Sequence, residues 1–189
     1  MKRFTEVWYL LYNLFLTISF VIALPFLPLL CLFGARYREG LLQRLGFYPR
    51  EISLALVSDH PVWIHAASVG EVRSAEVLVH ALKEQTPERK ILLSTFTATG
   101  SRLGGRIAGV DGVIFFPIDL FWIVRRALAK FNPALVIIIE TEIWPNFLRQ
   151  CYRRGIPTLL LSGRLSARAS SRYKLCQNFF RRVLGSFTA

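Results

Sequence analysis

The 189-residue chain is poor in cysteine, histidine and acid. Cys31, Cys151 and Cys176 are odd in number, far apart and without a C-x-x-C pair, which excludes a disulfide framework and fits a reducing compartment. His60, His65 and His80 show no ligand spacing with a cysteine or with one another, so no metal is predicted. No lysine completes a P-loop, no G-x-S-x-G elbow surrounds Ser68, and there is no internal repeat or low-complexity tract. Acid is scarce too: 12 Asp+Glu against 24 Lys+Arg give a formal net charge of +12. With 53% hydrophobic residues the chain is no disordered basic tail, because it can bury enough apolar surface to offset its ordering entropy. The basic excess suits nucleic-acid phosphates, anionic lipid headgroups or a phosphorylated substrate. Nucleic acid is set aside, since the aromatics lie in apolar runs rather than between cations on one face.

Charge is missing altogether from residues 7–35, a stretch of 29. Roughly 20 apolar residues cross a bilayer as a helix, whereas the apolar part of a signal peptide is roughly 7–15 long. The run therefore reads as an anchor, with a helix over 7–24 kinked or ended by Pro25 and Pro28 and with spanning and one-sided insertion both open. Arg36, Arg38, Arg44 and Arg50 follow it, which favours a cytoplasmic body. The stretch 164–182 holds Arg164, Arg168, Arg172, Lys174, Arg181 and Arg182 without an acid, either a solvated helix face or a surface for anionic membrane lipids.

Five apolar runs follow, at 62–65, 91–95, 113–116, 135–139 and 158–162, each continuous rather than alternating, as strands covered on both faces are. Helical segments at 71–85, 99–108, 120–130 and 144–154 lie between them. Strand alternating with helix predicts an α/β fold with a Rossmann-like parallel sheet. The expected organisation is an anchor over 1–35, a basic connector over 36–60 and the sheet domain over 61–189.

Ligands in such sheets collect beyond the carboxyl ends of the strands. There Ser68 and Glu71 have capping-box spacing, and two uses stay open: satisfying the donors of their own helix, or presenting Glu71 to a crevice as a general base, with Gly70 allowing close approach. Thr97-Ala98-Thr99-Gly100-Ser101 offers amides and hydroxyls to a phosphate, with Thr99, Gly100 and Ser101 as candidates. Glu140 and Glu142 end the most apolar strand. Two apart on an extended chain, they point the same way and repel, which suits orientation and hydrogen bonding better than paired acid and base work. Thr141 and Asn146 can cap a helix or hold a sugar hydroxyl. Arg164 stands after the fifth strand.

His65-Ala66-Ala67-Ser68-Val69-Gly70-Glu71, Thr97-Ala98-Thr99-Gly100-Ser101, Glu140-Thr141-Glu142-Ile143-Trp144-Pro145-Asn146 and Gly163-Arg164-Leu165-Ser166, with Arg44-Leu45-Gly46-Phe47-Tyr48 upstream, together resemble the 3-deoxy-D-manno-octulosonic acid (Kdo) transferase family. The resemblance implies the N-terminal, acceptor-side half of an inverting GT-B glycosyltransferase of lipopolysaccharide synthesis, at the cytoplasmic face of the inner membrane. It implies transfer of Kdo from CMP-Kdo to a lipid A precursor (lipid IVA), without a metal or other cofactor. Glu71 matches the family's base, and Glu140 matches a second carboxylate that orders the acceptor cleft. Family members are about twice this length, so CMP-Kdo is expected to bind through a C-terminal half absent from these residues, leaving the 189-residue chain inactive or incomplete alone. The alternative is a non-catalytic membrane-associated α/β module that binds lipid A precursor or a separate donor-domain chain.

Overall fold

A computed structural model describes residues 2–26, 28, 38–56, 59–140, 143–161, 183–185 and 187–188. Five parallel strands, β1 (Val62–His65), β2 (Ile91–Thr95), β3 (Gly112–Phe115), β4 (Leu135–Ile139) and β5 (Thr158–Leu161), form one sheet in the order β3-β2-β1-β4-β5. Val62 pairs with Ile91 on one side and Leu135 on the other, so β1 lies central. Among the described residues the α-helices are α1 (Lys2–Ala23), α2 (Leu41–Arg44), α3 (Arg50–Leu56), α4 (Val69–Gln85), α5 (Ala98–Gly104), α6 (Phe121–Phe131) and α7 (Pro145–Arg153).

Side chains alternate across a strand, and here each alternation ends in a different core. Trp63, Leu92, Val136 and Ile138 face α6 and α7, among Val124, Leu128, Phe131, Phe147 and Cys151. Val62, Ile64, Leu93, Ile137 and Ile139 face α4, among Val72, Ala75 and Val79. Both faces are dry, which is why the strands are continuous apolar runs. Fully buried Trp63 meets Phe131 and Phe147 edge-on at ring distances of 5.7 and 5.3 Å, the contact geometry aromatic quadrupoles favour.

Element boundaries differ from the pattern-based expectation in small ways with identifiable causes. Helix α4 begins at Val69, two residues before Glu71, because Ser68 is the cap. Helix α5 stops at Gly104, where a Cβ would meet Leu93 Cδ2 at 2.5 Å, and Gly109 then turns with φ +92°. Helix α1 starts at Lys2 and passes at Leu24–Phe26 into a 3-10 turn holding Pro25. The stretch read as a basic connector forms α2 and α3 on the β3 margin. The Phe115 N–H donates to Gln43 Oε1 (2.8 Å), the Ile118 N–H to the Arg44 carbonyl (2.9 Å), and a Cβ on Gly112 would meet Leu56 Cδ1 at 2.8 Å. An outer strand that would otherwise show open backbone is thus covered.

Candidate active site

All five strands point the same way, so their carboxyl ends bring the expected residues to one edge. After β1, Ser68 is the N-cap of α4 in extended conformation (φ −117°, ψ 171°), its Oγ accepting from the Glu71 N–H at 3.4 Å. The Glu71 carboxylate reaches back: Oε2 accepts from the Ala67 N–H (2.6 Å) and Oε1 from the Ser68 hydroxyl (2.9 Å). This is a closed variant of the capping box, with the carboxylate on the Ala67 N–H in place of the N-cap's own, and Glu71 itself is buried, 8% exposed. Beside it Gly70 is exposed, and a Cβ there would meet nothing nearer than Ser68 Oγ at 3.9 Å. Packing within the protein therefore does not require glycine at position 70.

Gly100 is the opposite case. A Cβ would fall 2.5 Å from Thr95 Oγ1 and 2.8 Å from Thr97 Oγ1, so the neighbouring threonines leave room only for hydrogen. Thr97 caps α5 by accepting from the Gly100 N–H (3.0 Å), and Thr95 ties the loop to the β1 end by donating to the Ala67 carbonyl (3.0 Å). Thr99 is exposed and Ser101 half-buried. Glu140 follows β4 in the left-handed region (φ 63°), with its N–H donating to the Leu161 carbonyl (2.9 Å) and its side chain exposed to water. A non-glycine residue there stores backbone strain, which marks the turn as a specified feature. Thr141, Glu142 and Arg164, and with them Gly163 to Ser166, lie outside the described residues.

Asn146 is 1% exposed, and its amide is taken up within the protein: Nδ2 donates to the Asp119 carbonyl and to Asn13 Oδ1 (2.9 Å), while Oδ1 accepts from Asn13 Nδ2 (3.1 Å). It orders the edge from inside. Its neighbour in this network is Asp119, a residue not singled out by sequence. Buried at the β3 end, Asp119 accepts from the Asn146 N–H (2.9 Å) and the Phe147 N–H (2.8 Å), supplying the cap that Trp144 does not give α7, and from the Tyr12 hydroxyl (2.9 Å). Burial pushes its carboxyl up to about 7 against the pull of those three donors. The only signal was an aspartate ending an apolar strand.

Tyr12 and Asn13 bring α1 onto the edge. One turn earlier Tyr9 is buried with the Arg149 guanidinium 4.0 Å from its ring centre, and Glu6 pairs with Arg149 and, at 3.9 Å, with Arg153. In the sequence Arg44 counted only as one of the cations after the apolar run and as part of a longer string. Its guanidinium donates to the Phe96 carbonyl and lies 4.7 Å from the Phe115 ring centre, and burial lowers its pKa. His65, fully buried, stacks on Phe116 at 4.0 Å with Nδ1 3.0 Å from Ser94 Oγ, and burial pushes its imidazole down to about 3, so it is neutral.

A family model described as 3-deoxy-D-manno-octulosonic-acid transferase matches residues 39–189. Among curated relatives, the 3-deoxy-D-manno-octulosonic acid transferase of Haemophilus influenzae is 38% identical over 168 residues, 88% of this chain and 38% of the relative. The transferase of that name from Chlamydia pneumoniae is 33% identical over 181 residues, covering 92% and 40%. That from Bordetella pertussis is 40% identical over 113 residues, covering 57% and 26%. The chain spans about two fifths of the length of the first two.

Proposed function

This chain belongs to the 3-deoxy-D-manno-octulosonic acid transferase family, and from that membership we propose that it forms the acceptor side of an inverting glycosyltransferase of lipopolysaccharide synthesis. The reaction moves Kdo from CMP-Kdo to a lipid A precursor at the cytoplasmic face of the inner membrane. We assign the nucleotide-sugar contacts to a second half of the fold. Glu71 is the proposed base: it takes the proton of an acceptor hydroxyl as that oxygen bonds to the anomeric carbon of Kdo, while the bond to the CMP phosphate breaks on the opposite side and CMP leaves. The observation that carries this reading is the position of Glu71 at the β1 end, beside a glycine that no intramolecular packing requires. Its two donors aim the carboxylate without occupying all its lone pairs. Ser68 and Gly70 border it, and Thr99, Ser101, Glu140, Thr141, Glu142 and Arg164 are proposed to line the acceptor cleft. The excess of Arg and Lys suits both the acceptor phosphates and anionic lipid headgroups.

The closed capping box favours a second reading, a non-catalytic module that binds the lipid acceptor or a donor-domain chain and uses Glu71 only as a cap. Glu71→Gln separates the two. Glutamine keeps a capping box but is no base. Purified chain, alone and with a separately expressed second half, is incubated with CMP-Kdo and a tetraacylated disaccharide bisphosphate. Expected are transfer in the complemented sample, a drop of roughly 100-fold or more in Glu71→Gln, and an unchanged melting temperature. Transfer that survives the substitution removes Glu71 from the chemistry.

A further inference from the structure

Residues 6–26 are apolar and long enough, as one helix, to cross a bilayer. Their contacts place a limit on how they do so. Glu6, Tyr9, Tyr12 and Asn13 form one stripe at helical spacing, and each is held by the body: Glu6 by Arg149 and Arg153, Tyr9 under Arg149, Tyr12 by Asp119, Asn13 by Asn146. Beyond the apolar run, residues 40–44 sit on the same body: a Cβ on Gly40 would meet the Phe115 ring at 2.1 Å, and Gln43 and Arg44 accept from the N–H groups of Phe115, at the end of β3, and of Ile118, just after it. Both flanks of the apolar segment are therefore fixed to one domain, whereas a single crossing puts its flanks on opposite sides of a membrane.

We infer that the apolar segment enters the bilayer from one side without crossing it, so that its two described flanks stay on the face on which the α/β body sits and the polar stripe of α1 is kept outside the hydrocarbon. This rests on the membrane attachment proposed above. What projects beyond the stripe is residues 14–26, whose outer side chains Leu14, Phe15, Ile18, Val21, Ile22 and Phe26 are each half or more exposed. Thirteen residues of helix are about 20 Å long, short of the roughly 30 Å of hydrocarbon. A crossing by residues 6–26 needs the stripe as well, which would strip Asp119 and Asn146 of partners and carry Glu6 into lipid away from its arginines.

The test is sidedness. In a chain whose three cysteines are replaced, Lys2→Cys, Ile22→Cys and Glu84→Cys are made singly, Glu84 being an exposed residue of α4 that marks the body. Spheroplasts and inverted inner-membrane vesicles are treated with a membrane-impermeant maleimide, and the vesicles are floated on sucrose. Expected are labelling of Lys2→Cys and Glu84→Cys in inverted vesicles alone, and no labelling of Ile22→Cys until detergent is added. Labelling of Lys2→Cys from the face opposite Glu84→Cys overturns the one-sided insertion while leaving membrane attachment intact. Labelling of Ile22→Cys without detergent in floated vesicles overturns insertion. Failure to float defeats the attachment itself, and the one-sided insertion with it.

Discussion

Asp111 and Asp119 stand at opposite ends of the sheet, eight residues apart in sequence, and each carboxylate gathers three donors. At the amino end Asp111 takes two ammonium groups, Lys83 at 3.1 Å and Lys90 at 3.0 Å, with the Ile91 N–H at 2.9 Å. Burial alone would raise its pKa, but the Ile91 N–H and the two lysines outweigh it and hold the carboxyl below its ordinary value. At the carboxyl end Asp119 is 3% exposed, its donors among the described residues are neutral, and burial prevails. The same side chain thus serves as an ionic clamp where solvent is near and as a polar joint where it is not. The joint is the one that carries the α7 start, the apolar helix α1 and the proposed cleft.

The comparison breaks first at Asp119. Asp119→Ala strands two buried backbone donors and a tyrosine hydroxyl, so a loss of about 3 kcal/mol or more is expected in urea denaturation followed by tryptophan emission. A loss no larger than that of an exposed substitution would show that the joint holds nothing. Next comes pH, with opposite signs at the two ends. The Asp119 pKa is raised on folding, so the unfolded chain binds fewer protons between about 4 and about 7 and stability should decline as pH rises through that window. For Asp111 the folded pKa is depressed, so its contribution is present above the unfolded value near 4 and fades as pH falls through the folded one. Denaturation midpoints of Asp119→Asn should lose the decline between pH 4 and 7, and those of Asp111→Asn should lose part of the acid-side fall. Matching profiles in the two variants would erase the distinction. The smallest effect is expected for Asp111→Ala, about 1 kcal/mol, reduced further in high salt because its lysine pairs are partly exposed.

Local features were legible in the sequence. Five continuous apolar runs became five strands, the inner three (β1, β2 and β4) buried almost throughout and the outer two, β3 and β5, only in part, and the Ser68-x-x-Glu71 spacing became a closed cap because both partners lie within one helical turn. The joint was not legible. Tyr12 and Asp119 are separated by 107 residues, Asn13 and Asn146 by 133, and no periodicity links positions so remote. Polar residues within a membrane-like run were a signal that hydropathy averaging hides. Gly100 was read as part of a loop offering amides and hydroxyls to a phosphate, yet the threonines that exclude its Cβ are set by the backbone path, which spacing does not encode. Helix α2 is a single turn, too short for any pattern to register.

The covering of β3 by Gln43, Gly40, Ile52 and Leu56 has a bearing on life at a crowded surface. Proteins confined to two dimensions collide often and in similar orientations, conditions under which a bare strand templates the growth of an intermolecular sheet. On the proposed membrane attachment, the residues that follow the apolar segment would also be the stopper on that margin, and the flank that would nucleate polymerisation would stay plugged beside the tether's own root.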